Sequence, residues 1–196
     1  MNDERQRLLE LTAQHLLAHG VLDLRLRTLA EAIGTSHRVL LYYFESREEL
    51  VTLALDEAAR ITSVRDASLL GPSGTDPDVE GEPVRVWLLI SGPDQLPLMR
   101  LFFQVVAIAI HEPERYAHFL GTLQTEWMDA YVAYFVAHGL GAREAEDLSA
   151  EIIGLQRGLQ FELAVGGSNE QLERSYRAAA HRWGERVAAA TGGPTA

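Results

Sequence analysis

Two histidines, His15 and His19, stand four residues apart, the spacing at which one face of a helix offers two imidazoles to a metal. No third ligand accompanies them, so the pair reads as solvated or packing histidines and no metal is expected. Other chemistry fails the same kind of test. Helical di-iron sites repeat a Glu three residues ahead of a His on two helices, and no His in this chain follows a Glu at that distance. His111-Glu112 runs into Pro113-Glu114-Arg115, so the two-histidine zinc protease pattern is missing. There is no phosphate-cradling glycine loop, no dinucleotide fingerprint and no serine in a G-x-S-x-G turn. The absence of cysteine removes disulfides, thiol catalysis and thiolate metal sites. The expectation is a protein that is not an enzyme and holds no cofactor.

Charge points to a different kind of chemistry. The 196 residues carry a net charge of −11, which argues against a generic nucleic-acid binder. Between Arg25 and Arg47, however, the balance is positive, with 4 Arg against 2 Glu. This stretch and the residues after it read as two short helices joined by a tight turn, then the start of a third. Thr28, with Glu31 three residues on, forms a capping-box arrangement. Leu29, Ala30 and Ile33 make a buried stripe, and Gly34 stands where a left-handed helix end is needed. Thr35 or Ser36 caps the next helix, through Val39, Leu40 and Phe44, and Ser46 caps a third with Glu48 and Glu49 in its first turn. Helix, glycine turn and helix make a helix-turn-helix, whose second helix enters the major groove of DNA. Tyr42 and Tyr43 are adjacent and cannot share one side of a helix, so at least one hydroxyl faces outward.

The elements that carry this head come next. A first helix over 3–19 has Leu8, Leu11 and Leu16 inward and stops at Gly20. A longer helix runs from Arg47 to about Arg65 and leads into the body. Residues 69–83, rich in Gly, Pro and acids, read as an aperiodic loop. Val84–Ile90 is a short apolar helix. Pro93 starts another that is apolar nearly all round and so expected at the centre. Pro113 starts a third, to about His138, and 142–165 and 169–190 are the last two, before a frayed tail. The polar start MNDERQR is no signal peptide and no segment has the unbroken apolar length of a membrane span, which leads to a cytoplasmic expectation.

The N-terminal residues resemble a known family. Leu8-Leu9, Leu16, His19-Gly20, Leu29-Ala30-Glu31, Gly34-Thr35-Ser36, Leu40, Tyr42, Phe44, Ser46 and Leu50 are similar to the DNA-binding domain of the tetracycline-repressor (TetR) family of bacterial regulators. The match covers about the first quarter of the chain. It departs at Leu24, where the family often has Thr, at Arg38 (usually Gly), at Leu41 (often Tyr) and at Tyr43 (often His). The resemblance implies an all-α protein, with a three-helix helix-turn-helix domain over 1–48 and a helical effector-binding and dimerising domain over 49–196. It implies a transcriptional repressor that binds operator DNA as a homodimer and releases it on binding a small molecule. By position, Arg27, Thr28, Tyr42, Tyr43 and Arg47 would contact phosphates, while Ser36, His37 and Arg38 would face base edges. The alternatives are an activator of the same architecture, or an all-α carrier or enzyme that does not read DNA.

Two further sets of residues follow from the body. Leu155, Gly158 and Leu159, with Gly154, leave a shallow helix face, and Tyr176, Ala180, Trp183 and Val187 make a second stripe; together they are the expected dimer interface. The EIIGLQRGLQFELAV run also resembles the family's dimerising helix. Phe102, Phe103, His111, Trp127, Tyr131 and Gln156 are the expected effector contacts, aromatic walls with a few polar groups.

Overall fold

Leu8, Leu9, Ala13 and Leu16 recur at helical spacing, and all are buried along the first helix, α1 (Asp3–His19). The computed structural model describes residues 3–62 and 81–192, the side chain of Gln124 excepted, and every regular element in that range is helical. After α1 come α2 (Leu26–Ala32), α3 (His37–Tyr43), α4 (Arg47–Ile61) and α5 (Gly81–Ile90). A 3-10 turn at Pro93–Gln95 leads into α6 (Leu96–His111), then α7 (Ala117–Ala137), α8 (Ala142–Ala164) and α9 (Asn169–Thr191). The all-α expectation, a helix-turn-helix followed by a helical body, is met.

Several boundaries differ from expectation. Thr28 does not cap α2. The helix starts earlier, at Leu26, behind an extended Arg25 that makes no side-chain cap bond. Half-buried Leu26 joins Leu29 and Ala30 on the inner side, so packing sets the start and leaves Thr28 exposed within the first turns. Residues 81–83 are not loop but the opening of α5, with Glu82 and Pro83 buried. Proline is tolerated there because the first N–H groups of a helix have no partner to lose. Helix α4 ends at Ile61, with Thr62 N–H closing it on Ala58 O at 3.0 Å; residues 63–65 of its expected run, the rest of the expected loop and the last four residues of the chain lie outside the described residues. Residues 112–116 form a turn, with Arg115 N–H donating to the Glu112 carbonyl at 3.1 Å, so α7 begins at Ala117 instead of Pro113.

Contacts gather the chain into two compact units. One draws on Met1–Arg65 and Asp94–Gly121, the other on Asp66–Pro93 and Thr122–Ala196. In the first, α1 lies along α4, α6 packs on both, and α2 pairs with α3. Its core is Leu8, Leu16, Leu29, Leu40, Phe44 and Leu50. The expected boundary at 48/49 falls within the first turn of α4, and α6 belongs with the N-terminal helices. In the second unit α9 packs on α5 and α8 around Trp87, Tyr131, Phe135, Tyr176 and Trp183.

Helix α6 is less central than its composition suggests. Leu98, Leu101, Val105 and Ala109 are buried, while Ala107 and Ile110 are exposed. By length and composition Pro93–His111 passes for a membrane span, with 19 residues and a mean hydropathy of 1.2, contrary to the expectation that no segment does. It carries exposed Arg100, however, and its buried residues pack against α1 and α4.

Candidate nucleic-acid interface and ligand cluster

The turn between α2 and α3 is set by backbone chemistry. Gly34 has φ +72°, a conformation that costs a residue with a Cβ. Its N–H donates to Glu31 O at 3.3 Å, and Thr35 N–H reaches back to Ala30 O at 2.8 Å. These two bonds are the Schellman pattern that closes α2. Ser36 then caps α3, its Oγ accepting from Val39 N–H at 3.3 Å. Ser46 caps α4 by accepting from Glu49 N–H at 3.0 Å, and the Glu49 carboxylate returns to Glu45 N–H at 2.5 Å.

The exposed residues of the head form a row. His37, Arg38, Leu41 and Tyr42 of α3 are exposed, Tyr42 at 80%. Arg25, Arg27 and Thr28 at the start of α2 are exposed too. Arg27 and Arg38 make no ion pair among the described residues, so both guanidiniums are available to an outside anion. Ser36 is exposed; its oxygen accepts at the cap and its O–H remains able to donate outward. Tyr43 is half-buried, with its ring edge-on to Tyr42 at 4.9 Å and its carbonyl accepting from Arg5 at 3.3 Å.

Arg47 is placed differently from the expectation of a phosphate contact. Its guanidinium donates to Leu24 O and Val21 O, each at 3.3 Å, and lies 3.8 Å from the Glu48 carboxylate. It holds the turn between α1 and α2 from beneath. The other side of that turn is held by Gln104 of α6, whose Oε1 accepts Val21 N–H at 2.8 Å. Gly20 makes this approach possible, since a Cβ there would stand 2.5 Å from Gln104 Oε1. Arg115, in the turn after α6, adds a contact to Glu48 at 3.6 Å. Beside Gln104, a cleft of about 310 Å³ is lined by Leu17, Gly20, Pro97, Arg100 and Leu101.

The expected effector residues divide between the two units. Phe102, Phe103 and His111 belong to the first. Phe102 and Phe103 are half-buried and edge-on to each other at 5.3 Å, and Phe102 also meets Phe119 at 6.4 Å; His111 is exposed at the end of α6. Trp127, Tyr131 and Gln156 belong to the second, where the structure brings Tyr131 and Gln156 together. Gln156 Nε2 donates to the hydroxyls of Tyr131 and Tyr176, both at 2.8 Å. Burial pushes both phenols well above the ordinary tyrosine range, so they stay protonated. Trp127 is half-buried, 6.3 Å from the Tyr131 ring. Sequence reasoning did not single out Trp87 for this cluster. Its ring stacks on Tyr176 at 4.9 Å, and its indole N–H is fully buried with no hydrogen-bond partner among the described residues.

The expected dimer residues also divide. Tyr176, Ala180, Trp183 and Val187 are buried within their own chain, because α9 turns that stripe toward α5 and α8. The stripe is core, which corrects its assignment to a surface between chains. Trp183 N–H donates to Glu151 at 2.8 Å, and Arg186 bonds the same carboxylate. Leu155 and Leu159 are half-exposed and Gly158 is exposed. Added Cβ atoms at Gly154 and Gly158 would meet nothing within 4 Å.

No known family profile matches the sequence, and no curated protein matches it. Solved structures do. A transcriptional regulator from Rhodococcus sp. Rha1 superposes with a TM-score of 0.74 at 17% identity, over 93% of this chain and 96% of that one. A candidate TetR-family transcriptional regulator from Rhodococcus sp. gives 0.70 at 20% identity, over 92% and 98%. Another candidate from Mesorhizobium loti MAFF303099 gives 0.67 at 17%, over 92% and 95%. Together with the geometry of the head, these likenesses give the conclusion that the chain has the fold of the TetR-family transcriptional regulators.

Proposed function

We infer that the protein is a DNA-binding transcriptional regulator, acting as a repressor in the cytoplasm and released from its operator by a small molecule. The observation that carries this reading is α3. It is a short helix fixed by a Schellman turn before it and a serine cap at its start, with Arg38 and its neighbours turned outward in a locally basic stretch. Arg27 and Thr28 serve as phosphate contacts beside it, and His37 and Arg38 face base edges. An electrophoretic shift with the promoter region next to the protein's own gene tests the reading. Retarded DNA that survives excess unrelated duplex supports it, and equal competition by any duplex counts against it.

Two further parts of the reading have their own support. Homodimers form through the outer face of α8, where Leu155, Gly158 and Leu159 are joined by exposed Val165. Glycines inside a helix cost about 1 kcal/mol each against alanine, and nothing among the described residues requires them at positions 154 and 158. A close helix from a second copy would. The effector binds in the second unit at Trp87, Tyr131 and Gln156. An unpaired buried donor costs about 1–3 kcal/mol, and an acceptor oxygen on a largely aromatic ligand would relieve it.

A further inference from the structure

We propose that Leu41 reads the 5-methyl group of a thymine, so that each operator half-site carries a thymine within two base pairs of the guanine contacted by Arg38. The inference rests on the DNA-binding reading and adds to it the chemistry of the bases read.

The seven residues of α3 divide cleanly by side. Leu40 is fully buried, and half-buried Tyr43 and Val39 follow it in turn around the same side of the helix. His37, Leu41, Arg38 and Tyr42 fill the opposite arc, about 140° wide at 3.6 residues per turn. Leu41 lies near the middle of that arc, between His37 and Arg38, and is 46% exposed. A lone exposed leucine on an ordinary surface needs no explanation. This one occupies the centre of the face that a helix-turn-helix presents to the major groove. Apolar side chains have one distinctive target there, the methyl that marks thymine against the other three bases.

Charge and spacing say what surrounds the contact. Arg38 is unpaired and exposed on the same arc, and a forked guanidinium matches the two acceptors on the major-groove edge of guanine. Arg38 and Leu41 are three residues apart, roughly 4.5 Å along the helix axis, which is between one and two base steps of about 3.4 Å. A side chain at position 41 with no apolar group in reach would make no such distinction between thymine and uracil, because those bases differ only in the methyl.

The test uses the full chain and a pool of random duplexes. Sequences enriched by binding are aligned, and each thymine of the half-site is then replaced singly by uracil, which removes the methyl and nothing else. The expected result is one thymine per half-site whose replacement weakens binding roughly threefold to tenfold, the scale of one buried methyl contact. Leu41→Ala should bind thymine and uracil duplexes equally at that position while keeping its preference for guanine nearby. Because Leu41 is exposed, the variant is expected to fold, and the uracil scan of the unaltered protein tests the idea without it. If no thymine responds, or if Leu41→Ala keeps the response, the proposal is overturned while the DNA-binding reading survives. If the folded protein enriches no sequence at all, that reading falls and the proposal with it.

Discussion

Arg38 and Arg47 show how differently two arginines of one short stretch can be used. Arg38 stands in solvent on α3, and Arg38→Ala should flatten base preference at one operator position, a loss of about 1–3 kcal/mol of discrimination, measured by competition with single-base variants. Arg47 is tied to two backbone carbonyls beneath the α1–α2 turn. Arg47→Ala should therefore lower folding stability by about 1–2 kcal/mol in a denaturant titration, in addition to any effect on DNA. An unchanged midpoint would show that the contacts contribute nothing. The difference between these residues was not legible in the sequence, since the two carbonyls that Arg47 binds lie more than twenty residues away. Three of the helix-end devices were legible, though the capping box at Thr28 was not one of them. Gly34, Ser36 and Ser46 bond to groups within four residues, and their chemistry is complete on a local reading.

Glu151 gives a pH signature on the residue scale. The Trp183 indole N–H, with Arg186 beside it, holds this carboxyl below its ordinary value of 4.5. A depressed carboxylate adds stability above its ordinary pKa and loses it as pH falls through the lowered folded value. Glu151→Gln should thus be less stable than the parent at neutral pH, with the gap closing below about pH 4. The gap should stay under about 1 kcal/mol, because the carboxylate is half-exposed and screened. A gap that widens in acid would contradict the assignment.

Among the elements, α8 and α9 differ in use although their patterns suggest one shared role. Both carry stripes of small and large apolar residues, and periodicity cannot say whether a stripe meets its own chain or another. The structure turns the Trp183 stripe inward and leaves Gly154 and Gly158 open. Gly158→Leu should therefore fold normally, since its side chain enters free space, yet block close approach of a second α8. Light scattering should give a dimer for the parent and a shift toward monomer for the variant. A stable, fully dimeric variant would place the interface elsewhere. Helix α6 misled in another way. Its apolar composition suggested a central rod, but one side packs on α1 and α4 and its Gln104 reaches the turn at Val21. Only the positive φ of Gly20, together with the lack of room for a Cβ, shows why a glycine ends α1 at this point.

On the scale of the whole molecule, the sequence separated a DNA-reading head from a helical body, and the contacts draw the division differently. Residues 94–121 join the N-terminal helices in one unit, and the second unit holds the Trp87, Tyr131 and Gln156 cluster. Its buried polar groups lean toward donors: Gln156 gives both amide hydrogens to tyrosine oxygens, and the Trp87 N–H has no acceptor among the described residues. A matched pair of flat probes, coumarin with a carbonyl and naphthalene without one, should separate by tenfold or so in affinity, about 1.4 kcal/mol, in favour of coumarin. Equal binding would remove the hydrogen-bond argument from the effector site.

Whether α3 reads DNA sequence is decided by fluorescence anisotropy on two labelled duplexes. One duplex carries the promoter region beside the protein's own gene; the other has the same composition in scrambled order. Titrations at two or more salt concentrations give affinity and salt slope together. Binding to the promoter duplex should be at least about a thousandfold tighter at physiological salt, the lower end of specific recognition, with both duplexes weakening as salt rises. Equal affinity for the two duplexes, or no binding to either by folded protein, would contradict sequence reading by α3.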